Sequence, residues 1–130
     1  MSDNAGVILL VEDEKLTQIV TQRVLTGLGF KVYVAGSALE ALTMFDEHDF
    51  DLIFMDIGLP GKLDGVDVTR QIRHSGERGS TIPIIAMTAH AHETDVARFY
   101  AAQMDEVIVK PVQLDNLKKI ISRFLKQAVF

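Results

Sequence analysis

Asp56 ends the apolar run Leu52-Ile53-Phe54-Met55 and is followed at once by Gly58, Pro60 and Gly61, the punctuation of a tight loop. An ionised carboxylate is costly to desolvate, so a buried strand that finishes on one must open into a polar pocket. Three other apolar runs finish in the same way. Val7-Ile8-Leu9-Leu10-Val11 leads into Glu12 and Asp13, Ile84-Ile85-Ala86-Met87 into Thr88, and Val107-Ile108-Val109 into Lys110 and Pro111. Singly, each polar residue is what a solvated loop would carry, and an acidic pair also suits a helix start, where it complements the dipole and caps free N–H groups. All of them at strand exits is a pattern that solvation alone does not supply.

Brought to one sheet edge, three carboxylates, one hydroxyl and one ammonium imply a cation. Carboxylates about 5 Å apart repel by about 3 kcal/mol per pair at an effective dielectric of roughly 20, more than a single Lys offsets. Oxygen ligands without His or Cys favour a hard divalent cation. A site with few protein ligands, leaving positions open for water and phosphate, suits Mg²⁺ better than Ca²⁺.

The elements that would position these groups alternate along the chain. Val7–Val11 reads as a strand covered on both faces, and Leu16, Ile19, Val20, Val24 and Leu28 then recur at helical spacing up to Gly29. Lys31–Ala35 is a second strand. Ser37 and Glu40 match a capping box, opening a helix whose expected buried stripe is Leu39, Leu42 and Phe45. Asp51–Met55 is a third strand, Val66–Arg73 a helix, Ile82–Met87 a fourth strand, His92–Met104 a helix and Val107–Val109 a fifth strand. Leu114, Leu117, Ile121, Phe124 and Leu125 mark a last amphipathic helix. Five strands alternating with five helices imply a parallel sheet with helices on both faces, and ligands in such sheets sit beyond the carboxyl ends of the strands.

Composition bounds the reading. The 130 residues, 48% hydrophobic and 24% charged, suit one globular domain, here expected over residues 6–126 with 1–5 and 127–130 as short tails. The absence of cysteine removes disulfides and thiol chemistry, and the net charge of −5 argues against non-specific nucleic-acid binding. No apolar stretch approaches the roughly 20 residues of a membrane helix and the leader lacks signal-peptide order, so the expected compartment is the cytoplasm, without direct membrane contact.

As a set, Glu12-Asp13, Asp56 with Pro60 and Asp64-Gly65, Thr88-Ala89 and Lys110-Pro111 resemble the receiver domain of bacterial response regulators, over roughly residues 6 to 126. The resemblance implies a doubly wound, flavodoxin-like α/β fold, a five-stranded parallel sheet of order 2-1-3-4-5 with five helices. It implies that Asp56 accepts a phosphoryl group from a phosphohistidine on a partner, and that Glu12 (through water), Asp13, Asp56 and the Gly58 carbonyl hold Mg²⁺. Lys110 would pair with the phosphoryl oxygens, Thr88 would hydrogen-bond them, and the Lys110–Pro111 peptide would be cis. Partners would be a sensor histidine kinase or a histidine phosphotransfer domain, docking on the first helix around Leu16, Ile19 and Val20. The stretches around Asp56, Thr88 and Lys110 look most like receivers of hybrid sensor kinases, and the chain ends just after the fifth helix, with no output domain in view.

The sequence also departs from that family. Gly61-Lys62-Leu63-Asp64 makes the loop after Pro60 one residue longer, Val107 stands where an aromatic is usual, and Gln103 where a Gly commonly ends a helix. Gly58 and His90 fall at positions that tune phosphate lifetime in the family. Three rival readings stand beside this one. An Asp-nucleophile phosphatase would carry D-x-D, but Gly58 replaces the second acid; a flavin site would be repelled by Glu12-Asp13; a receiver-fold binding module that is never phosphorylated remains the alternative. His48, His74, His90 and His92 read as surface residues, Lys118-Lys119 as a solvated face, and Tyr100 as packing or partner surface.

Overall fold

The computed structural model describes residues 6–125; the expected tails lie outside the described residues. Five strands, β1 (Val7–Val11), β2 (Lys31–Ala35), β3 (Leu52–Asp56), β4 (Ile84–Thr88) and β5 (Glu106–Val109), form one all-parallel sheet of order β2-β1-β3-β4-β5. They alternate with α1 (Lys15–Gly27), α2 (Ala38–Glu47), α3 (Gly65–Arg73), the short α4 (Glu77–Thr81), α5 (Glu93–Ala101) and α6 (Leu114–Phe124). The fold is the doubly wound one expected, with six helices among the described residues instead of five. The extra α4 has no apolar stripe to betray it, and its Gly79 is pressed so close to α3 that a Cβ there would lie 1.9 Å from the Ile72 carbonyl oxygen.

Each central strand is apolar up to the residue that meets the cleft because both of its faces are covered. Leu9, Val11, Ile53, Met55, Ile84 and Ala86 pack with α2, α3 and α5 through Phe45, Ile72 and Phe99. Ile8, Leu10, Leu52, Phe54, Ile85 and Met87 pack with α1 and α6 through Leu25, Leu117 and Ile121.

One expected buried stripe is corrected, that of α2. Leu39 is 74% exposed, and α2 is buried through Ala38, Ala41 and Phe45, with Leu42 only partly covered. In α1 the inward residues are Thr21 and Leu25 with Val24 and Leu28 behind them, while Leu16, Ile19 and Val20 are 69%, 38% and 50% exposed. Apolar spacing announced both helices without deciding which side of each meets the sheet.

Local signals also shifted by small amounts. Ser37 Oγ accepts from Glu40 N, but Glu40 Oε1 accepts from Gly36 N, so only half of the expected box forms. The complete capping box is Asp64 with Asp67 at the start of α3. Strand β4 begins after Pro83, which has no N–H for the ladder, although its carbonyl accepts from Ile53 N. Gln103 is left-handed, φ 70°, where Gly is the usual residue, and Arg73 holds its carbonyl through Nε and Nη2 at 2.9 and 2.7 Å. In the lengthened loop Gly61 takes φ 91°, a conformation open to glycine, while Leu59 is buried beneath it.

Candidate functional site

Strand register places the polar residues side by side. Val11 pairs with Met55, so the next residues, Glu12 and Asp56, leave adjacent strands at the same level. Asp56 pairs with Met87 and Thr88 with Val109, which sets Thr88 one step and Lys110 two steps further along the same edge. The result is an open cleft of about 600 Å³ whose lining includes all six sequence-predicted positions: Glu12, Asp13, Asp56, Gly58, Thr88 and Lys110. Asp56 is the last residue of β3 and not the first of the loop, and Gly65 at the start of α3 is pressed against its backbone; a Cβ there would lie 2.1 Å from the Asp56 carbonyl oxygen.

Glu12 is fully buried, Asp56 is 4% exposed and Asp13 is exposed, yet one carboxylate oxygen from each lies within 4.8 Å of the others, the one such acidic group among the described residues. Lys110 Nζ lies 2.7 Å from Glu12 Oε1 and 3.1 Å from Asp56 Oδ1, and Gly58 N donates to the same Asp56 oxygen at 3.0 Å. Glu12 Oε2 accepts from Glu14 N, whereas the buried Oε1 makes no hydrogen bond of ordinary geometry despite its nearby ammonium. A buried carboxylate oxygen whose one cationic neighbour is shared with Asp56, and which faces two further carboxylates, fits a hard cation.

The electrostatics report the same strain. Burial, reinforced by Asp56 and opposed by Lys110, pushes the Glu12 carboxyl up to about 7. Burial and Asp56 also raise Asp13. Burial acts upward on Asp56 too, but hydrogen bonds from Glu12, Gly58 N–H, Asp13 and Lys110 outweigh it and hold Asp56 below the usual carboxylate range. Burial would lower Lys110, and its two carboxylate partners raise it instead. Without a cation Glu12 is the acid of the cluster pushed towards holding a proton, and Asp56 the one held towards ionisation.

Thr88 lines the cleft with its hydroxyl turned to its own chain: Oγ1 donates to His90 O at 2.7 Å and accepts from His90 N at 3.1 Å. The Lys110–Pro111 peptide is cis. A family model, the response regulator receiver domain, matches residues 8–122.

The chain belongs to the response regulator receiver family.

Its relatives and structural neighbours agree. It is 37% identical over 117 residues to the aerobic respiration control sensor protein ArcB of Escherichia coli, covering 90% of this chain and 15% of that protein. Among solved structures it is similar to the receiver domain of a Pseudomonas aeruginosa sensor histidine kinase with a magnesium ion coordinated in its active-site cleft: 36% identity, TM-score 0.85, 93% of this chain and 98% of that one. It is also similar to a chain from the Saccharomyces cerevisiae complex of a histidine phosphotransfer signaling protein with the receiver domain of its downstream response regulator, at 27% identity and TM-score 0.85, covering 95% and 92%. The chain spans 15–16% of the length of curated relatives such as ArcB and a probable histidine kinase of Oryza sativa.

Two residues that sequence reasoning passed over bear on the receiver cleft, one by lining it and one by bracing its acidic turn. Gln18 Nε2 donates to the Glu12 carbonyl at 2.5 Å and fixes the acidic turn from α1. Glu14 lines the cleft and caps α1, accepting from Thr17 N. The only signal for Glu14 was its place directly after the acidic pair; for Gln18 there was none, since a Gln at a helical position is ordinary.

Proposed function

We propose that Asp56 is the phosphoacceptor of a two-component phosphorelay and that its acyl phosphate switches the chain's affinity for partners. The observation that carries this reading is the meeting of three carboxylates and one ammonium at the strand ends, with Asp56 ionised and held by Gly58 N–H and Lys110. A carboxylate oxygen of Asp56 bonds to phosphorus as the P–N bond of a partner phosphohistidine breaks and the bonding pair returns to the imidazole nitrogen.

Glu12, Asp13, Asp56 and the Gly58 carbonyl are the residues to hold Mg²⁺, which when bound offsets negative charge on the transferring oxygens. Lys110, already 3.1 Å from Asp56 Oδ1, is placed to pair with a phosphoryl oxygen there. For Thr88 to donate to that oxygen it must release the His90 carbonyl, so the segment leading into α5 differs between the two states. The chain turns over no substrate of its own; the aspartyl phosphate forms and hydrolyses on it.

The partner class is a sensor histidine kinase or histidine phosphotransfer domain, and the exposed Leu16, Ile19 and Val20 of α1, beside the cleft, are the docking residues. The receiver unit spans residues 6–126 and works in the cytoplasm, apart from nucleic acid and membrane; no helix among the described residues is long and apolar enough to cross a bilayer. The test is intact mass after incubation with a small phosphodonor and Mg²⁺, beside Asp56→Asn and a chelator control. One phosphoryl group, absent from both controls, is expected. No addition under any condition would leave an unphosphorylated interaction module.

A further inference from the structure

Four carboxylates line the cleft, those of Glu12, Asp13, Glu14 and Asp56, against the single ammonium of Lys110. Lys110 is already shared between Glu12 and Asp56 at 2.7 and 3.1 Å, so it brings no spare charge. Glu14 stands apart from the other three acids. It is exposed at the start of α1, outside the group suited to hold a cation. Nor does it swing freely as a surface Glu would: Oε1 accepts from Thr17 N at 3.2 Å and from the Thr17 hydroxyl. Its charge is pinned at the cleft mouth. Formally the lining carries three negative charges, and one divalent cation leaves one, into which any phosphoryl donor must bring more.

We propose that Glu14 is a specificity-determining residue that screens phosphoryl donors by charge, disfavouring small dianions relative to donors whose phosphoryl group hangs on a protonated nitrogen. The inference rests on the reading of Asp56 as phosphoacceptor. Acetyl phosphate, a dianion at neutral pH, and phosphoramidate, a zwitterion with one net negative charge, are the probes. With either, an Asp56 oxygen bonds to phosphorus. The P–O bond then breaks to release acetate, or the P–N bond breaks to release ammonia, whose nitrogen already holds its three hydrogens.

The experiment measures the rate of phosphoryl uptake from both donors at saturating Mg²⁺, by intact mass, for the wild-type chain, Glu14→Gln and Glu14→Lys. Gln keeps an oxygen to accept from Thr17 N, and thermal melts report whether each variant is folded. The ratio of acetyl phosphate to phosphoramidate rate constants is expected to rise roughly threefold in Glu14→Gln and further in Glu14→Lys, with added salt compressing the differences. An unchanged ratio in both variants, with uptake intact, overturns the role of Glu14 alone. A wild-type chain that takes phosphate from neither donor overturns the Asp56 reading along with it.

Discussion

At the amino end of the strands the Arg73 guanidinium is 5% exposed and makes five hydrogen bonds, two to Gln103 O and one each to Gly79 O, Ile82 O and Asp105 Oδ2. At the carboxyl end Lys110 faces two carboxylates with a third close by, and Glu12 Oε1 is left without a proper hydrogen bond. Both clusters bury charge beside the same sheet. The first satisfies every donor that it buries and ties α3, α4, the start of β4 and the α5–β5 turn together. The second keeps a conflict that only an added cation, proton or phosphoryl group resolves, and such a conflict gives a site chemistry at the expense of stability.

The largest effects should separate the two ends by kind. Asp56→Asn is expected to abolish phosphoryl uptake altogether while far-ultraviolet circular dichroism stays native. Arg73→Ala is expected to cost about 3–5 kcal/mol in urea unfolding, because it opens a cavity, leaves three carbonyls without their donor and takes the cation from Asp105, which keeps only Ile84 N, while uptake per folded molecule is retained. A cost under about 1 kcal/mol would erase the contrast between the clusters.

Smaller and sharper is the pH dependence. The Glu12 carboxyl is raised from 4.5 to about 7 in the fold, so its contribution to stability is fully present below pH 4.5 and is lost as pH rises through 7. Asp56 is shifted the other way, below 3.8, and its contribution disappears only as pH falls beneath that range, so the two windows do not overlap. In the absence of Mg²⁺, stability should decline between pH 4.5 and 7, by up to about 3 kcal/mol, and Glu12→Gln should flatten that decline, as read from thermal midpoints. Mg²⁺ affinity should strengthen with pH over the same interval, since the cation competes with the proton on Glu12. The smallest effect belongs to neither cluster: Leu39→Ser should change stability by no more than about 0.5 kcal/mol, and a larger loss would restore Leu39 to the core.

Much of the fold was legible because a strand covered on both faces must be apolar along its whole length, and loop chemistry must follow where it stops. Glu12, Asp13, Asp56, Thr88 and Lys110 could be picked out by that argument alone. Helix faces were less legible. Leu16, Ile19, Val20 and Leu39 sit at helical spacing like core residues, yet they point outward, since apolar spacing also arises where a helix meets a partner. Helix α4 and Gln18 were silent, one too short to show a period and the other recognisable only by the carbonyl that it reaches.

By itself, the sequence determined the order of strands and helices and which polar residues leave each strand, because both are written in runs of a few neighbouring residues. Tertiary structure alone decided that Lys110 serves two carboxylates and that Glu12 is pushed towards protonation while Asp56 is held towards ionisation. Those outcomes depend on separations of a few ångströms between residues far apart in the chain, and strand register, which no local stretch contains, sets them.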